Sequence, residues 1–575
     1  MNAPRSARRG RIAPSAAGYL MLLPALAVIV LLVIVPMLVI ARDSFAISDP
    51  LGGNLGGFTL DNYAKLIDPV YLKTLGYSLG MALLNAVVCT VVGYIVAYYI
   101  ATRRASLQPV LLVLVIIPFL TDFLVRTFAW ITLLGSGGPF ISLLRAFGVD
   151  AQSLVPSQLA VTLSLLYAFL PVAVFPIYAS MRSIDPSLKE AAADLGAGWW
   201  QTHARVFLPL SASGLASSVM LTFVPTLGVF VIPVLLGGGK DPLVGNLIVT
   251  LFTEFRNEPL GAALSMVVLV LMLASVAGAG LLLRKRRPAQ PRHTHGCRRD
   301  RRHPNHRHPK GRVMDRLTSW IARAVFLFLY LPIAALIVYS FNSSEVSYRF
   351  DGFTFRWYAE LFADRMLLEA LRTSAIVGLI AALLATVIGF LTAFALVRFR
   401  VKGRAFFVGA ILIPLIVPEI VLGVSLLTVF STAGIPTGLL TLVLGHVVIT
   451  LPLATLVLMG AMSSLDPSLS EAATDLGASP WVTFRRVLFP LLRPSILAAF
   501  LLSFTTSFSN IVISTFTAGV GTTTLPLRIY STLRTGLTPE LNALGTLLVV
   551  ATLGVILAVG VSQMRRILAG PSTTP

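Results

Sequence analysis

Asp185-Pro-Ser-Leu-Lys-Glu-Ala-Ala-Ala-Asp-Leu-Gly-Ala197 recurs as Asp466-Pro-Ser-Leu-Ser-Glu-Ala-Ala-Thr-Asp-Leu-Gly-Ala478, at an offset of 466 − 185 = 281 residues. From Asp185 to Leu210 and from Asp466 to Leu491, 17 of 26 positions are identical, which chance does not produce. The chain is therefore an internal duplication. Upstream, Gly57-Phe-Thr-Leu-Asp-Asn-Tyr-Ala-Lys-Leu66 aligns with Gly352-Phe-Thr-Phe-Arg-Trp-Tyr-Ala-Glu-Leu361 at 352 − 57 = 295. The difference, 295 − 281 = 14 residues, must be extra sequence in the first half, and the stretch 135–154 is where it is expected.

Around these repeats the chain is too apolar for a soluble protein: 56% of its 575 residues are hydrophobic and only 12% charged. A bilayer-crossing helix needs about 20 mostly apolar residues. Such runs lie at 19–41, 73–101, 109–134, 155–181, 209–236 and 260–283 in the first half. In the second they lie at 318–340, 367–396, 405–431, 437–462, 490–516 and 541–563. The expected fold is all-α, a polytopic membrane protein of about 12 transmembrane helices arranged as two parallel six-helix repeats. The first run follows Arg5, Arg8, Arg9 and Arg11 and has no small-residue cleavage site after it, so it reads as a retained signal anchor.

A net charge of +21 raises the question of a nucleic-acid partner, and the placement of the charges answers it. Residues 284–312 hold twelve Lys/Arg against one acid, Asp300. Arg103-Arg104, Arg398, Arg400, Lys402, Arg404, Arg485-Arg486 and Arg565-Arg566 supply much of the rest, each in a short loop or tail. Counted from a cytoplasmic N-terminus, all of these fall inside, which is the positive-inside pattern of a bilayer protein with both termini cytoplasmic. No nucleic-acid partner is expected. The junction 284–313, with His293, His295, His303, His306 and His308 among its arginines, offers no apolar periodicity and should be disordered. Arginines that repel a cation, and no helix to align the histidines, argue against a metal site. The two cysteines, Cys89 and Cys297, form neither a disulfide framework nor a metal cluster. No cofactor is expected. Met314-Asp315-Arg316 before an apolar run suggests that two adjacent genes were joined, so the domains are read as 1–283, a basic linker 284–313, and 314–575.

The repeated motif falls between the fourth and fifth spans, on the cytoplasmic side. Asp185-Pro186 and Asp466-Pro467 read as helix starts. The helix formers Glu190-Ala191-Ala192 and Glu471-Ala472-Ala473 follow, ahead of Asp194 and Asp475. Gly196 and Gly477 supply a break, and Pro209 and Pro490 mark the next membrane entry. The pattern encodes helix, turn, helix. A Gly six residues after the Glu and a Pro thirteen after that Gly resemble the Glu-Ala-Ala loop of bacterial binding-protein-dependent ABC importer permeases. That resemblance implies a short coupling helix seated on a cytoplasmic ABC ATPase dimer, with an extracytoplasmic solute-binding protein delivering a small-molecule substrate. The coupling residues it implies are Glu190, Ala191, Ala192, Asp194, Gly196 and Pro209, with Glu471, Ala472, Ala473, Asp475, Gly477 and Pro490. No catalytic residue is expected, because the chain has no phosphate-binding loop of its own. An ion-gradient-driven secondary transporter is the alternative. Its major class carries an Asp-Arg-x-Gly-Arg type loop after span two, and neither Ala101–Gln108 nor Val397–Arg404 fits it. A basic scaffold acting through the 284–312 segment is a third reading, with little to support it.

Each half also resembles one of the paired permeases of the spermidine/putrescine importer type. Leu124-Val-Arg-Thr-Phe-Ala-Trp130 and Pro233-Val-Leu-Leu-Gly-Gly238 carry the likeness in the first half. Asp351-Gly-Phe-Thr, Trp357-Tyr and Pro418-Glu-Ile-Val421 carry it in the second. The resemblance implies a polyamine-like cation as cargo. Departures from it fall at Val229, where some relatives have Glu, and at Ser509-Asn510, where the second permease of that type has an acidic pair. Cation passage through low-dielectric surroundings calls for compensating charge. Asp122, Arg126 and Glu419 in the third spans, with Ser509 and Asn510, are the candidate pathway groups. Asp122 and Arg126, one helical turn apart, are also placed to neutralise each other. His446 in the fourth span reads as a satisfied packing histidine.

Overall fold

The computed structural model describes residues 16–49, 53–150, 152–185, 187–239, 241–285, 309–345, 350–536 and 538–568. The junction histidines and arginines 286–308 lie outside the described residues, as do the N-terminal arginines. With no water in the bilayer core, a lipid-exposed backbone must satisfy its own N–H and C=O groups, and helices do this within one segment. Among the described residues the fold is accordingly all-α, its only β features being the isolated bridges Ser48–Asn54 and Asn342–Phe353.

The first half forms α1 (Ala16–Asp43), α2 (Pro69–Ala101), α3 (Gln108–Leu120), α4 (Phe123–Leu134) and α5 (Gln158–Arg182). It continues through α6 (Ser187–Asp194), α7 (Trp199–Leu210), α8 (Ala212–Leu227), α9 (Val231–Gly237), α10 (Val244–Thr253) and α11 (Glu258–Lys285). In the second half come α12 (Pro309–Tyr339), α13 (Arg365–Arg398), α14 (Arg404–Ile416), α15 (Glu419–Thr432) and α16 (Leu439–Ser464). They are followed by α17 (Ser468–Asp475), α18 (Pro480–Phe508), α19 (Val512–Thr517), α20 (Leu525–Thr535) and α21 (Glu540–Leu568).

The duplication shows in the element starts. Helices α2, α3 and α4 recur at 365 − 69 = 404 − 108 = 419 − 123 = 296, and α5, α6, α7, α9 and α10 recur at 439 − 158 = 525 − 244 = 281, with α7 and α8 together answering to α18. The 296 − 281 = 15 extra residues therefore enter between α4 and α5, where the first half alone carries a helix, Pro139–Ala146. That is the stretch in which the sequence alignment expects them.

Nine helices among the described residues are long and apolar enough to cross a bilayer, or eleven when each of two bent pairs counts as one span. The twelfth expected run, 541–563, falls within α21. Four expected continuous spans are broken, 490–516 among them, which divides into α18 and α19. The run 109–134 divides into α3 and α4, and 405–431 into α14 and α15 with a 95° bend. The run 209–236 becomes α8 and α9, and α7 meets α8 at 71°. Hydropathy reads composition and not direction, so an apolar run that turns inside the membrane looks continuous.

The helices gather into two packing units that do not coincide with the sequence halves. One contains the described residues up to Tyr71, Leu247–Leu269 and Ala359–Gly536, so α1 packs with the second half's helices. Within it Tyr19 accepts a bond from the Lys402 backbone N–H (3.1 Å), and a side chain at Gly18 would meet Phe399. The other contains Leu72–Asn246, Val270–Tyr358 and the residues from Leu537 on, so α12 packs with the first half's helices. There Tyr330 donates to the Leu114 carbonyl (2.9 Å) and Arg103 to Ser319 (2.9 Å).

Each unit is built on one close crossing, of α2 with α5 or of α13 with α16. Asn85, Cys89, Gly93 and Ala97 line one buried stripe of α2, and Ala381, Ala385, Gly389 and Ala393 line the matching stripe of α13. Small side chains at a spacing of four let helix backbones approach, which is what drives association where lipid competes equally for apolar surface. A Cβ on Gly93 would sit 3.3 Å from that of Ala173, and one on Gly389 would sit 3.1 Å from the Thr455 nitrogen. On the opposite face of α13, Leu379, Leu383 and Val387 are exposed, as a lipid-facing surface requires.

Candidate functional site

The repeated loops fold as helix, turn, helix in both halves. Asp185 and Asp466 each accept a hydrogen bond at 2.9 Å from the backbone N–H two residues on, at Ser187 and Ser468. The bonds from the Ser468 N–H and its hydroxyl hold the Asp466 carboxyl below the usual carboxylate range. At the far ends Gly196 (φ +75°) and Gly477 (φ +78°) are left-handed. The following residues close the helices by donating five residues back, Ala197 to Ala192 (2.9 Å) and Ala478 to Ala473 (3.0 Å). This is a glycine-dependent stop, since a Cβ in that conformation costs about 1–2 kcal/mol.

What these loops present is apolar. Leu195 and Leu476 are each 88% exposed, and Trp200 and Trp481, also 281 residues apart, are 70% and 66% exposed. Glu190, Ala191, Asp194, Gly196 and Pro209 are exposed, as are Glu471, Ala472, Asp475, Gly477 and Pro490, while Ala192 is half-buried and Ala473 buried. The leucines are not among the coupling residues that the resemblance implies. Their signal was a Leu kept in an otherwise polar loop in both copies.

At membrane depth in the second half, the breaks in the third and fifth spans are tied together. Glu419 opens α15 and is exposed, and its Oε2 accepts from Asn510 Nδ2 (2.9 Å). Asn510 sits in the turn between α18 and α19, where its Oδ1 accepts from the Ile513 N–H (2.8 Å). Its backbone carbonyl accepts from the Ser514 hydroxyl (2.8 Å). His446 of α16 lies between Ser507 (Nδ1, 2.7 Å) and Ser514 (Nε2, 3.1 Å). Ser514 has one hydroxyl hydrogen, and the Asn510 carbonyl takes it, so Nε2 must donate to Ser514 and Nδ1 accept from Ser507. His446 is thus a satisfied buried histidine, and it braces the turn that holds Asn510 against Glu419. Among the described residues, the Ser509 hydroxyl bonds along its own helix, donating to the Thr505 carbonyl (2.9 Å).

The first half is different. Asp122 is the N-cap of α4, its Oδ1 accepting from Leu124 (2.8 Å) and Val125 (3.1 Å). No ion pair joins it to Arg126: Asp122 Oδ2 and Arg126 Nε and Nη1 are buried without hydrogen-bond partners. The guanidinium lies instead 5.5 and 5.6 Å from the ring centres of Phe119 and Phe123. Trp130 Nε1 and Tyr167 OH are likewise buried and unpartnered, their rings 5.8 Å apart. Val229, the counterpart of Asn510, has no polar side-chain atom to bring to the corresponding turn.

Paired helix-turn-helix loops, on a duplicated frame of broken membrane helices, match a known transporter architecture in sequence as well. The family described as binding-protein-dependent transport system inner membrane component matches twice, over residues 89–288 and 385–569. The chain belongs to this family. It carries two copies of the inner membrane component in one multi-pass polypeptide. The spermidine/putrescine transport system permease protein PotC of Haemophilus influenzae is 40% identical over 232 residues, 40% of this chain and 90% of its own length. The putrescine transport system permease protein PotI of Escherichia coli K12 is 39% identical, over 39% of this chain and 82% of its own length. The spermidine/putrescine permease PotB of Salmonella typhimurium SL1344 is 37% identical, over 45% of this chain and 92% of its own length. Each relative is thus about one half of this chain, and each is a transport subunit rather than an enzyme. The chain is a permease of the type I ABC importer class.

Proposed function

We propose that this permease forms the pathway for a small organic cation of the polyamine kind and is driven by a separate cytoplasmic ATPase pair that seats on the two repeated loops. The observation that carries the coupling is the matched exposure of Leu195 and Leu476 at 88% each, beside Trp200 and Trp481. Exposed leucines and tryptophans in a polar loop, at the same register in two copies, are what a partner surface covers. Glu190, Asp194, Glu471 and Asp475 then form its charged rim, and Gly196 and Gly477 fix its shape. Both termini lie in the cytoplasm, residues 1–283 and 314–575 are the two permease halves, and 284–313 joins them. An external solute-binding protein delivers the cargo.

Glu419, fixed by Asn510, is the cation-recognising group of the pathway, supported by its exposure at a break in two spans. Asp122 and Arg126 contribute from the first half. Polyamine cargo is supported by relatives named for spermidine and putrescine. Uptake of labelled putrescine into vesicles carrying the chain with its ATPase and binding protein tests this reading. Glu419→Gln should abolish uptake while leaving the ATPase bound. Unchanged uptake by Glu419→Gln removes Glu419 from the pathway.

A further inference from the structure

Both repeated loops are held to the membrane domain by a ring clamp at the cytoplasmic end of the second span. In the first half the His203 ring stacks on Trp199 (3.8 Å between centres) and meets Tyr98 (4.6 Å) and Tyr94 (6.1 Å) edge-on. In the second, Phe484 stacks on Trp481 (5.5 Å) and meets Phe394 (5.8 Å) and Phe390 (6.0 Å) edge-on. The central and second-span rings correspond position by position, since 484 − 203 = 281 and 394 − 98 = 390 − 94 = 296, while the stacking tryptophan is offset by one residue, Trp199 standing opposite Pro480 and Trp481 opposite Trp200. In both halves the central ring is the first residue of a five-residue π-helical turn, His203–Phe207 and Phe484–Leu488. Leu208 donates to the His203 carbonyl, and Phe489 to the Phe484 carbonyl. Pro209 and Pro490 follow directly. A proline ring clashes with the carbonyl four residues back, and widening the turn relieves the clash at the cost of a less regular ladder.

Edge-to-face ring pairs are directional contacts, worth more than the area they bury. A stiff contact next to a softened turn makes a joint. We infer that His203 and Phe484, with Tyr98 and Phe394, are positioning residues that pass movement of the coupling helices to α2 and α13. The small-residue stripes then carry it to α5 and α16, because those helices touch too closely to slide independently. The two joints differ in one respect. Lys189 of α6 donates to the Tyr98 hydroxyl (2.9 Å), whereas its counterpart Ser470 has a buried, unpartnered hydroxyl and Phe394 has none to offer. The first loop is therefore tied to its second span by a hydrogen bond as well as by rings, and the second by rings without that bond.

This inference rests on the proposed ATPase coupling, and the test separates the two. Spin labels at Leu72→Cys and Glu369→Cys, on α2 and α13 in a Cys297→Ser background, report movement of the second spans when the complex with its ATPase is trapped with ATP and vanadate. In the double variant His203→Ala, Phe484→Ala the trapped-state population at the spin labels should fall by at least about tenfold, a typical size for coupling between sites, with the ATPase still bound and still binding nucleotide. His203→Phe, which copies the second joint into the first, should behave as wild type. Tyr98→Phe, which keeps the ring and removes the Lys189 bond, should also preserve the movement. A full nucleotide-driven shift in the double alanine variant overturns the inference, as does loss of ATPase binding in that variant alone. Failure of the unmodified chain to bind an ATPase would sink the coupling proposal, and this inference with it.

Discussion

Leu195→Ala and Leu476→Ala offer the sharpest perturbation of the coupling surface. Burying a leucine side chain fully is worth about 1.5–3 kcal/mol. At 88% exposure nearly all of that surface is available to a partner and almost none serves the permease's own core. Taking about 2 kcal/mol for each truncation, with tenfold per 1.4 kcal/mol, each single variant should weaken ATPase binding by about thirtyfold. If the two effects add, the double variant should lose about a thousandfold. The measurement is a titration of nucleotide-free ATPase onto the permease in nanodiscs, with thermal unfolding of the permease alone as control. The unfolding midpoint should stay where it is. Affinity within about twofold of wild type for the double variant would refute the assignment of these leucines, being far less than the loss of even one buried side chain. A lowered unfolding midpoint would instead show that they serve the fold.

Gly196→Ala with Gly477→Ala should lower the stability of each loop by about 1–2 kcal/mol, because both positions are left-handed although a Cβ meets nothing within 4 Å. Hydrogen exchange confined to 185–210 and 466–491 should register this, and unaltered exchange there would contradict the glycine-dependent stop. Asn510→Ala removes the side-chain donor to Glu419, a bond to a charged group worth about 1.5–3 kcal/mol, and should raise the KM for putrescine about tenfold or more with little change in ATPase binding. Gly389→Leu, with its Cβ 3.1 Å from the Thr455 nitrogen, should cost about 1–3 kcal/mol or prevent folding, read as thermal unfolding in detergent. Residues 1–287 or 314–575 produced alone should be unstable, since each packing unit takes its opening helix from the other half, and production together should restore both.

Much of this was legible in the sequence, and the reasons differ from element to element. The duplication and the place of the insertion follow from identical residues at a fixed offset, which no packing interaction can shift. The loop's helix, turn and helix follow from Asp, Glu-Ala-Ala and Gly, residues whose local preferences suffice. Exchange of α1 and α12 between the halves left no trace, because hydropathy scores each span alone and says nothing of its neighbours. Breaks in the third and fifth spans were hidden inside apolar runs, although Asp122 as a capping residue, and Pro418 before Glu419, are helix-start signals in retrospect. Asp122 was read as an intramembrane charge facing Arg126. In the structure it is first a helix cap, a role that needs the carboxylate at the turn and leaves one oxygen over. His446 was read correctly as satisfied, but its serine partners lie 61 and 68 residues away and only the fold brings them together.

The central claim is that ATP hydrolysis by a partner, acting through the two loops, moves a solute through this chain. Purified permease, reconstituted with its ATPase and solute-binding protein into liposomes with no ion gradient, measures this directly through accumulation of labelled putrescine. The account predicts accumulation that requires ATP inside the cytoplasmic compartment and is abolished by the Leu195→Ala, Leu476→Ala double variant. Accumulation by the chain alone, driven by an imposed proton or sodium gradient and indifferent to ATP, would contradict it.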